Sequence, residues 1–277
     1  MAVPSGPPRP VAGTRTLRLL LSYDGTGLHG WQVQPDVVTV QGLLLEAARP
    51  LFGPAVRAVG ASRTDAGVHA LRQTVSLSGD SRLPPAAVQA ALNARLPESV
   101  RVTAAIEAPP GFDARRAALG KRYAYLIDNG RVAAPLARRW AWHVAAPLDA
   151  GAMQTALAAL RGPHDFSAFC AAPGREADPA CRVHAVRIVR RKAFVVVLLS
   201  ADRFLHHMVR NVVGSAVEVG RRVREPAWLA AVLAGRDRRR AGPTAPAHGL
   251  VLVRVRYPVG GARLGAGSHA NVSPGQG

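Results

Sequence analysis

From Leu205 to Val217 the apolar residues Leu205, Met208, Val209, Val212, Val213, Ala216 and Val217 recur at the i, i+3, i+4, i+7 spacing of one helical face. The spacing predicts a helix that must bury a stripe, and it leaves His206, Arg210 and Gly214 on a different face. Immediately ahead of it the helical spacing gives way to two strand-sized segments. His184 to Arg190 and Phe194 to Ser200 suit two antiparallel strands with a turn at Arg191 and Lys192. A chain that alternates helical stripes with strands has to pack one against the other, which restricts it to layered arrangements of helix on sheet.

The same grammar runs through the rest of the chain. Leu17, Leu19, Leu21 and Tyr23 alternate within Thr16 to Tyr23, and Asp24, Gly25 and Gly27 end that strand. A helix starts with Thr39 as its N-cap, presents Val40, Leu43, Leu44, Ala47 and Leu51 on one side, and stops at Gly53 and Pro54. Gln73 to Ser78 reads as a strand and Pro84 to Leu96 as a second helix. In the second half, Arg122 to Ile127 suits a strand, Ala152 to Leu160 a helix, Trp228 to Leu233 a short helix and Gly249 to Tyr257 a strand. The expected fold is α+β: two similar α/β subdomains, 15–112 and 113–259, with mixed, mainly antiparallel sheets, flanking helices and an active-site cleft between them. The halves meet near Pro109 to Arg116. Residues 1–14 and 260–277, rich in Gly with Pro or Ser, read as disordered tails.

Composition narrows the partners. Hydrophobic residues make up 48% of 277, enough for globular cores. No apolar run reaches membrane-spanning length, and the Pro- and Gly-rich start lacks the apolar core of a signal peptide, which points to the cytoplasm. Cys170 and Cys181 are too few for a zinc site of the usual kind and carry no assigned function. The 36 basic residues against 17 acidic give a formal charge of +19. Only Lys121 and Lys192 are lysines, so the arginine preference reflects a GC-rich genome in part; the excess of positive charge remains, and RNA is its most natural partner.

One segment differs from its surroundings. Gly60-Ala61-Ser62-Arg63-Thr64-Asp65-Ala66-Gly67-Val68-His69-Ala70 sets one carboxylate, one guanidinium and one imidazole among small residues, between a helix and a strand. Small residues allow close approach of a ligand to the backbone. Arg63, two positions before Asp65, is placed to hold that carboxylate ionised. Composition alone also allows Asp65 to be no more than a turn-former.

These eleven residues resemble, nearly letter for letter, the signature loop of the tRNA pseudouridine synthase A family. Further blocks occur in that family's order: Tyr23-Asp24-Gly25-Thr26 with Gly30-Trp31-Gln32, Phe112-Asp113-Ala114-Arg115, Lys121-Arg122-Tyr123-Ala124-Tyr125, Phe204 to Gly214, and Ala245-Pro246-Ala247 with Gly249-Leu250. The similarity spans roughly Leu17 to Pro258, and Leu28 stands where many members carry an aromatic residue. The resemblance implies the pseudouridine synthase fold and isomerisation of uridine to pseudouridine at positions 38, 39 and 40 of the tRNA anticodon stem-loop. It implies Asp65 as the catalytic carboxylate, attacking C1′ or removing a sugar proton; either role requires it unprotonated beside the ribose.

By the same resemblance, Tyr123 stacks on the everted uracil and accepts or relays the C5 proton, Arg210 is the basic partner of Asp65, and Arg63 reaches phosphate or helps wedge open the stem. Alternation puts Tyr125 on the same sheet face as Tyr123, as support beneath it. RNA contacts are expected at Phe112, Asp113, Ala114, Arg115 and Arg116, and at Pro173, Gly174 and Arg175. The reaction oxidises nothing and consumes no water, so no cofactor is expected. No metal is expected either, because His206 and His207 are adjacent on a helix and would not share a face, and no carboxylate lies at ligand spacing from them or from His69. The resemblance implies tRNA as substrate and a homodimer. The readings set against this are a base deaminase, whose zinc-binding blocks the sequence lacks, a glycosylase, and a non-catalytic tRNA-binding module or chaperone on the same fold.

Overall fold

The computed structural model describes residues 15–171 and 178–258. Among them ten strands and five α-helices follow one another along the chain: β1 (Arg15–Tyr23), α1 (Val40–Phe52), β2 (Arg57–Gly60), β3 (His69–Gly79), α2 (Pro85–Asn93), β4 (Val100–Glu107), β5 (Gly120–Asp128), β6 (Trp142–His143), α3 (Ala150–Ala158), β7 (Gly162–Asp165), β8 (Ala180–Arg191), β9 (Phe194–Ala201), α4 (Met208–Gly220), α5 (Ala227–Gly235) and β10 (Leu250–Arg256).

The strands form a single sheet in the order β4-β1-β3-β10-β5-β9-β8-β7, with β2 paired to β3 and β6 to β5. Pairing is antiparallel except for β10 with β3 and β5 with β6. The two halves of the sequence are therefore joined edge to edge rather than only packed. The joint is β10, the last strand in sequence and a central one in space. Leu252 pairs with Ala70 on one side and with Tyr123 on the other. This sets the start of β3, and the loop before it, beside the middle of β5.

Local structure follows the chemistry of the sequence. The Thr39 hydroxyl accepts from the Gly42 N–H, the N-cap that its position predicted, and α1 buries Val40, Leu44, Ala47, Ala48 and Phe52. β9 alternates buried and half-buried residues through Val195, Val197, Leu199 and Ala201. Its turn from β8 uses Lys192 at φ 52°.

The long periodic stretch forms α4, but its surroundings differ from a helix with one free face. Nearly every residue of α4 is buried. The stripe of Val209, Val212, Val213 and Ala216 enters the core, and the opposite face is covered by the segment from Arg238 to Ala245. Gly214 permits that cover: a Cβ there would stand 1.8 Å from the Pro243 carbonyl oxygen. Asn211, fully buried, donates to the Phe169 carbonyl at 2.7 Å and accepts from Thr244 Oγ1 at 2.6 Å and from Arg238 at 3.0 Å. A buried amide with its partners satisfied fixes one arrangement of this segment on the helix.

Candidate active site

The loop between β2 and β3 is pinned from both sides. Ser62 N–H donates to the Gln73 side-chain oxygen, and the Gln73 amide returns a bond to the Ser62 carbonyl at 2.6 Å. On the other flank, Trp31 N–H donates to the Thr64 carbonyl at 3.0 Å, and Gly67 N–H donates to Leu28. Gly30 has φ 83°, and a Cβ on it would stand 2.6 Å from that Thr64 carbonyl, so only glycine lets the two loops touch here. Tyr23, the last residue of β1, bonds Thr64 Oγ1 at 2.8 Å. Asp65 thus projects from a backbone held at several points.

Its carboxylate faces three basic side chains around the start of α4. The Arg210 guanidinium is 3.4 Å from Oδ2, His207 Nε2 lies 3.4 Å from the same oxygen, and His206 Nε2 lies 3.9 Å from Oδ1. Arg210 is itself anchored, because Nε donates to the Ala245 carbonyl at 2.8 Å. Burial, more than the opposing pull of Asp65, lowers the His207 pKa below the ordinary histidine value, so its ring is neutral near pH 7. The permanent cation of the cluster is Arg210. Arg63, expected to hold Asp65 ionised, is instead exposed at the pocket rim; it is not among the ion-pair partners of Asp65 within the described residues.

The two histidines and a carboxylate do come together, contrary to the expectation from the sequence. His207 has φ 58° and precedes the first residue of α4, so His206 and His207 are not consecutive residues of a helix. Both rings turn towards Asp65 and lie 3.9 Å apart, and ligand atoms of the three residues fall within 4.8 Å of one another. What opposes a divalent cation is Arg210, which already presents its charge to Oδ2.

Asp65 opens into a cavity of about 420 Å³, large enough for a nucleoside. Ser62, Arg63 and Thr64 line one side, Lys121 and Tyr123 of β5 another, and Phe204 to Val209 a third. The Tyr123 hydroxyl shares a 2.8 Å hydrogen bond with Ser62 Oγ, and its ring meets Phe204 edge-on at 5.2 Å between centroids. Burial pushes the Tyr123 phenol up to about 12, with the Asp65 charge adding to the shift against the Ser62 bond. Tyr123 is therefore a neutral hydroxyl at physiological pH and no phenolate base. Tyr125 is fully buried and donates to the Pro246 carbonyl at 2.7 Å, in keeping with support beneath the pocket.

The remaining expected RNA contacts divide. Arg115 and Arg116 are exposed, and Arg115 lines the cavity. Asp113 caps the turn that presents them, its Oδ1 accepting from the N–H of both at 2.8 Å. Ala114 is fully buried, its N–H bonded to Ser76 and its carbonyl to Tyr257, so its part is structural and no side-chain contact with RNA is open to it. Phe112 is half-buried and packs against Tyr257 at 5.6 Å. Pro173, Gly174 and Arg175 lie outside the described residues. Lys121, Phe204, His206 and His207 line the cavity without having been assigned a role from sequence. Strand alternation was the available signal for Lys121, two residues before Tyr123.

A family profile described as tRNA pseudouridine synthase matches residues 20–115 and 156–258, which include the Asp65 loop and all of α4. The chain belongs to the tRNA pseudouridine synthase family. It is 44% identical over 243 residues to tRNA pseudouridine synthase A of Moorella thermoacetica, covering 87% of this chain and 99% of that one. It is 45% identical over 248 residues to the protein of the same name from Myxococcus xanthus, covering 87% and 91%. The corresponding protein of Brevibacillus brevis is 42% identical over 243 residues, covering 88% and 100%. Relatives matched over almost their full length identify this synthase as an isomerase of tRNA uridine.

Proposed function

We propose that this synthase converts uridine to pseudouridine at positions 38, 39 and 40 of the tRNA anticodon stem-loop, with Asp65 as the catalytic carboxylate. The observation that carries the proposal is the placing of Asp65 at a nucleoside-sized cavity opposite Tyr123, with Arg210 behind it. In the reaction the C1′–N1 bond breaks with its electron pair on the uracil, the base turns, and C5 bonds to C1′. C5 then loses its proton and N1, freed of C1′, takes one up, so nothing is gained or lost overall. Asp65 acts at the ribose, Tyr123 carries the base on its ring, and Arg210 keeps a carboxylate tolerable once RNA has excluded water. Eversion of the uridine costs roughly a few kcal/mol, which base stacking and phosphate contacts offset.

The two halves, 15–112 and 113–259, act in this reading as subdomains whose cleft receives the stem-loop. The enzyme works in the cytoplasm as a homodimer. Apolar side chains exposed between β5 and β6, Val132 at 84% and Leu136 at 91%, favour a protein-covered surface there. Mapping pseudouridine in tRNA from cells lacking the protein tests the site assignment. Unmodified uridine at positions 38 to 40 is the expected result, and full modification at those positions overturns it. A monomeric mass in solution would overturn the dimer separately.

A further inference from the structure

We infer that Lys121 and Arg115 form a phosphate-binding subsite inside the active-site cavity, seating the RNA backbone next to the everted uridine. The inference rests on the proposed reading of Asp65 and Tyr123 as the site of the ribose and base.

Lys121 is the second residue of β5, and alternation puts it on the face that carries Tyr123, about 7 Å away along the strand. Its side chain lines the same cavity as Asp65. Burial lowers its amine to about 8, and the charged groups that add to the shift are both cations, Arg115 and Arg203. They arrive from different elements. Arg115 belongs to the turn before β5, and Arg203 to the turn after β9, whose Ala201 pairs with Lys121. The Lys121 ammonium makes no hydrogen bond or ion pair among the described residues. Arg203 lies 3.6 Å from the exposed Asp178.

A half-buried ammonium that shares a cavity with the Arg115 guanidinium, with no carboxylate of its own, is an unfavourable arrangement in the free protein. It becomes favourable when an anion enters. The anion brought by the proposed substrate is phosphate, which accepts from Arg and Lys together and compensates their charge. The spacing suits this: ribose at Asp65, base on Tyr123, and a backbone phosphate a few ångströms further along β5. A hydroxyl- or amide-recognising site would not bring these two cations into one cavity.

The salt dependence of tRNA affinity tests the subsite, measured for wild type, Lys121→Gln, Lys121→Arg and Arg115→Gln. Loss of one phosphate contact reduces the slope of log Kd against log salt by about 1 and weakens binding uniformly across tRNAs. Lys121→Gln and Arg115→Gln are each expected to show that shallower slope, with affinity about three- to tenfold weaker at low salt. KM should rise while kcat stays close to wild type, and Lys121→Arg should restore the slope. Unchanged slopes in both Gln variants overturn the proposal. A large fall in kcat for Lys121→Gln with an unchanged slope also overturns it, by assigning Lys121 to proton transfer at the base. Arg115 is exposed, so its variant guards against misfolding. The slopes are measured by binding alone; a wild-type protein that formed no pseudouridine would refute the proposed reaction without touching them.

Discussion

The Arg210 guanidinium stands 3.4 Å from the Asp65 carboxylate although 145 residues separate the two in sequence. The contact is long for a hydrogen bond, and its effect is mainly that of charge. Its geometry is set elsewhere, by the bond from Arg210 Nε to Ala245 and by the Ala245 N–H that returns to the Arg210 carbonyl at 3.1 Å. The 243–245 segment therefore helps to set the candidate active site without lining its cavity.

Replacing Arg210 leaves Asp65 without its permanent cation. For a fully buried pair the loss would be about 3–5 kcal/mol. Both partners keep some contact with water, so about 1–3 kcal/mol is expected. Arg210→Gln should lower kcat/KM by about 10- to 100-fold. Arg210→Lys should recover part of that, since it keeps the charge and loses the bond to Ala245. Single-turnover release of tritium from uracil C5 measures both, and wild-type rates for Arg210→Gln would refute the pairing.

Tyr123 offers a ring and a neutral hydroxyl. Tyr123→Phe removes the bond to Ser62, worth about 1 kcal/mol, and leaves the ring in place. Tyr123→Leu removes the stacking surface, worth about 1–3 kcal/mol per base. Activity should fall less than tenfold for Phe and by about 10- to 100-fold for Leu. Equal loss in both variants would mean that the hydroxyl, and not the ring, carries the function.

The periodicities identified the five helices and the strands β1, β3, β5, β8, β9 and β10. They did not give the pairing of β10 with β3, because a strand's period is silent about its partner, and this partnership spans two residue pairs of parallel ladder across the whole chain. The short strands β2, β6 and β7 and the edge strand β4 carry too few alternations to stand out. Likewise α4 showed its stripe, but not that residues 238–245 would bury its other face. His206 and His207 were misplaced for a related reason. The apolar pattern begins at Leu205, whereas the helix begins at Met208 after a left-handed residue, and both imidazoles face Asp65. Asp65 and Tyr123 were singled out because their blocks resemble a known family; their spacing alone would have left them a turn-former and a core aromatic.

Acidification should weaken the fold through two histidines. Burial lowers the His69 pKa against the pull of Asp24, and burial lowers that of His207. His69 holds Gly25 N–H on Nδ1 and contacts the His248 carbonyl through Nε2, an arrangement that fits the neutral ring. Below the unfolded value near 6.5 the unfolded chain binds protons that the native chain does not, so stability falls as pH falls. Thermal unfolding from pH 7.5 to 5 should show a decline that is shallower in His69→Gln, even if that variant starts lower. Parallel curves would contradict the assignment.

Gly214→Ala should be severely destabilising, since its methyl would stand 1.8 Å from the Pro243 carbonyl. Overpacking of this kind costs about 3 kcal/mol or more. A drop in Tm of roughly 5–10 °C is expected. Because the displaced segment carries Ala245, activity should fall along with stability. A Tm within a degree of wild type would show that the segment yields freely.

The most direct measurement compares Asp65→Asn with wild type on one tRNA, reading pseudouridine formed at positions 38 to 40 and tRNA affinity side by side. The amide keeps the size of the side chain and removes the charge needed at the ribose. Conversion should fall by at least about 10³-fold, the scale expected when a nucleophile or base is lost. Affinity should stay within a few-fold of wild type. Conversion near the wild-type rate in Asp65→Asn would contradict Asp65 as the catalytic carboxylate.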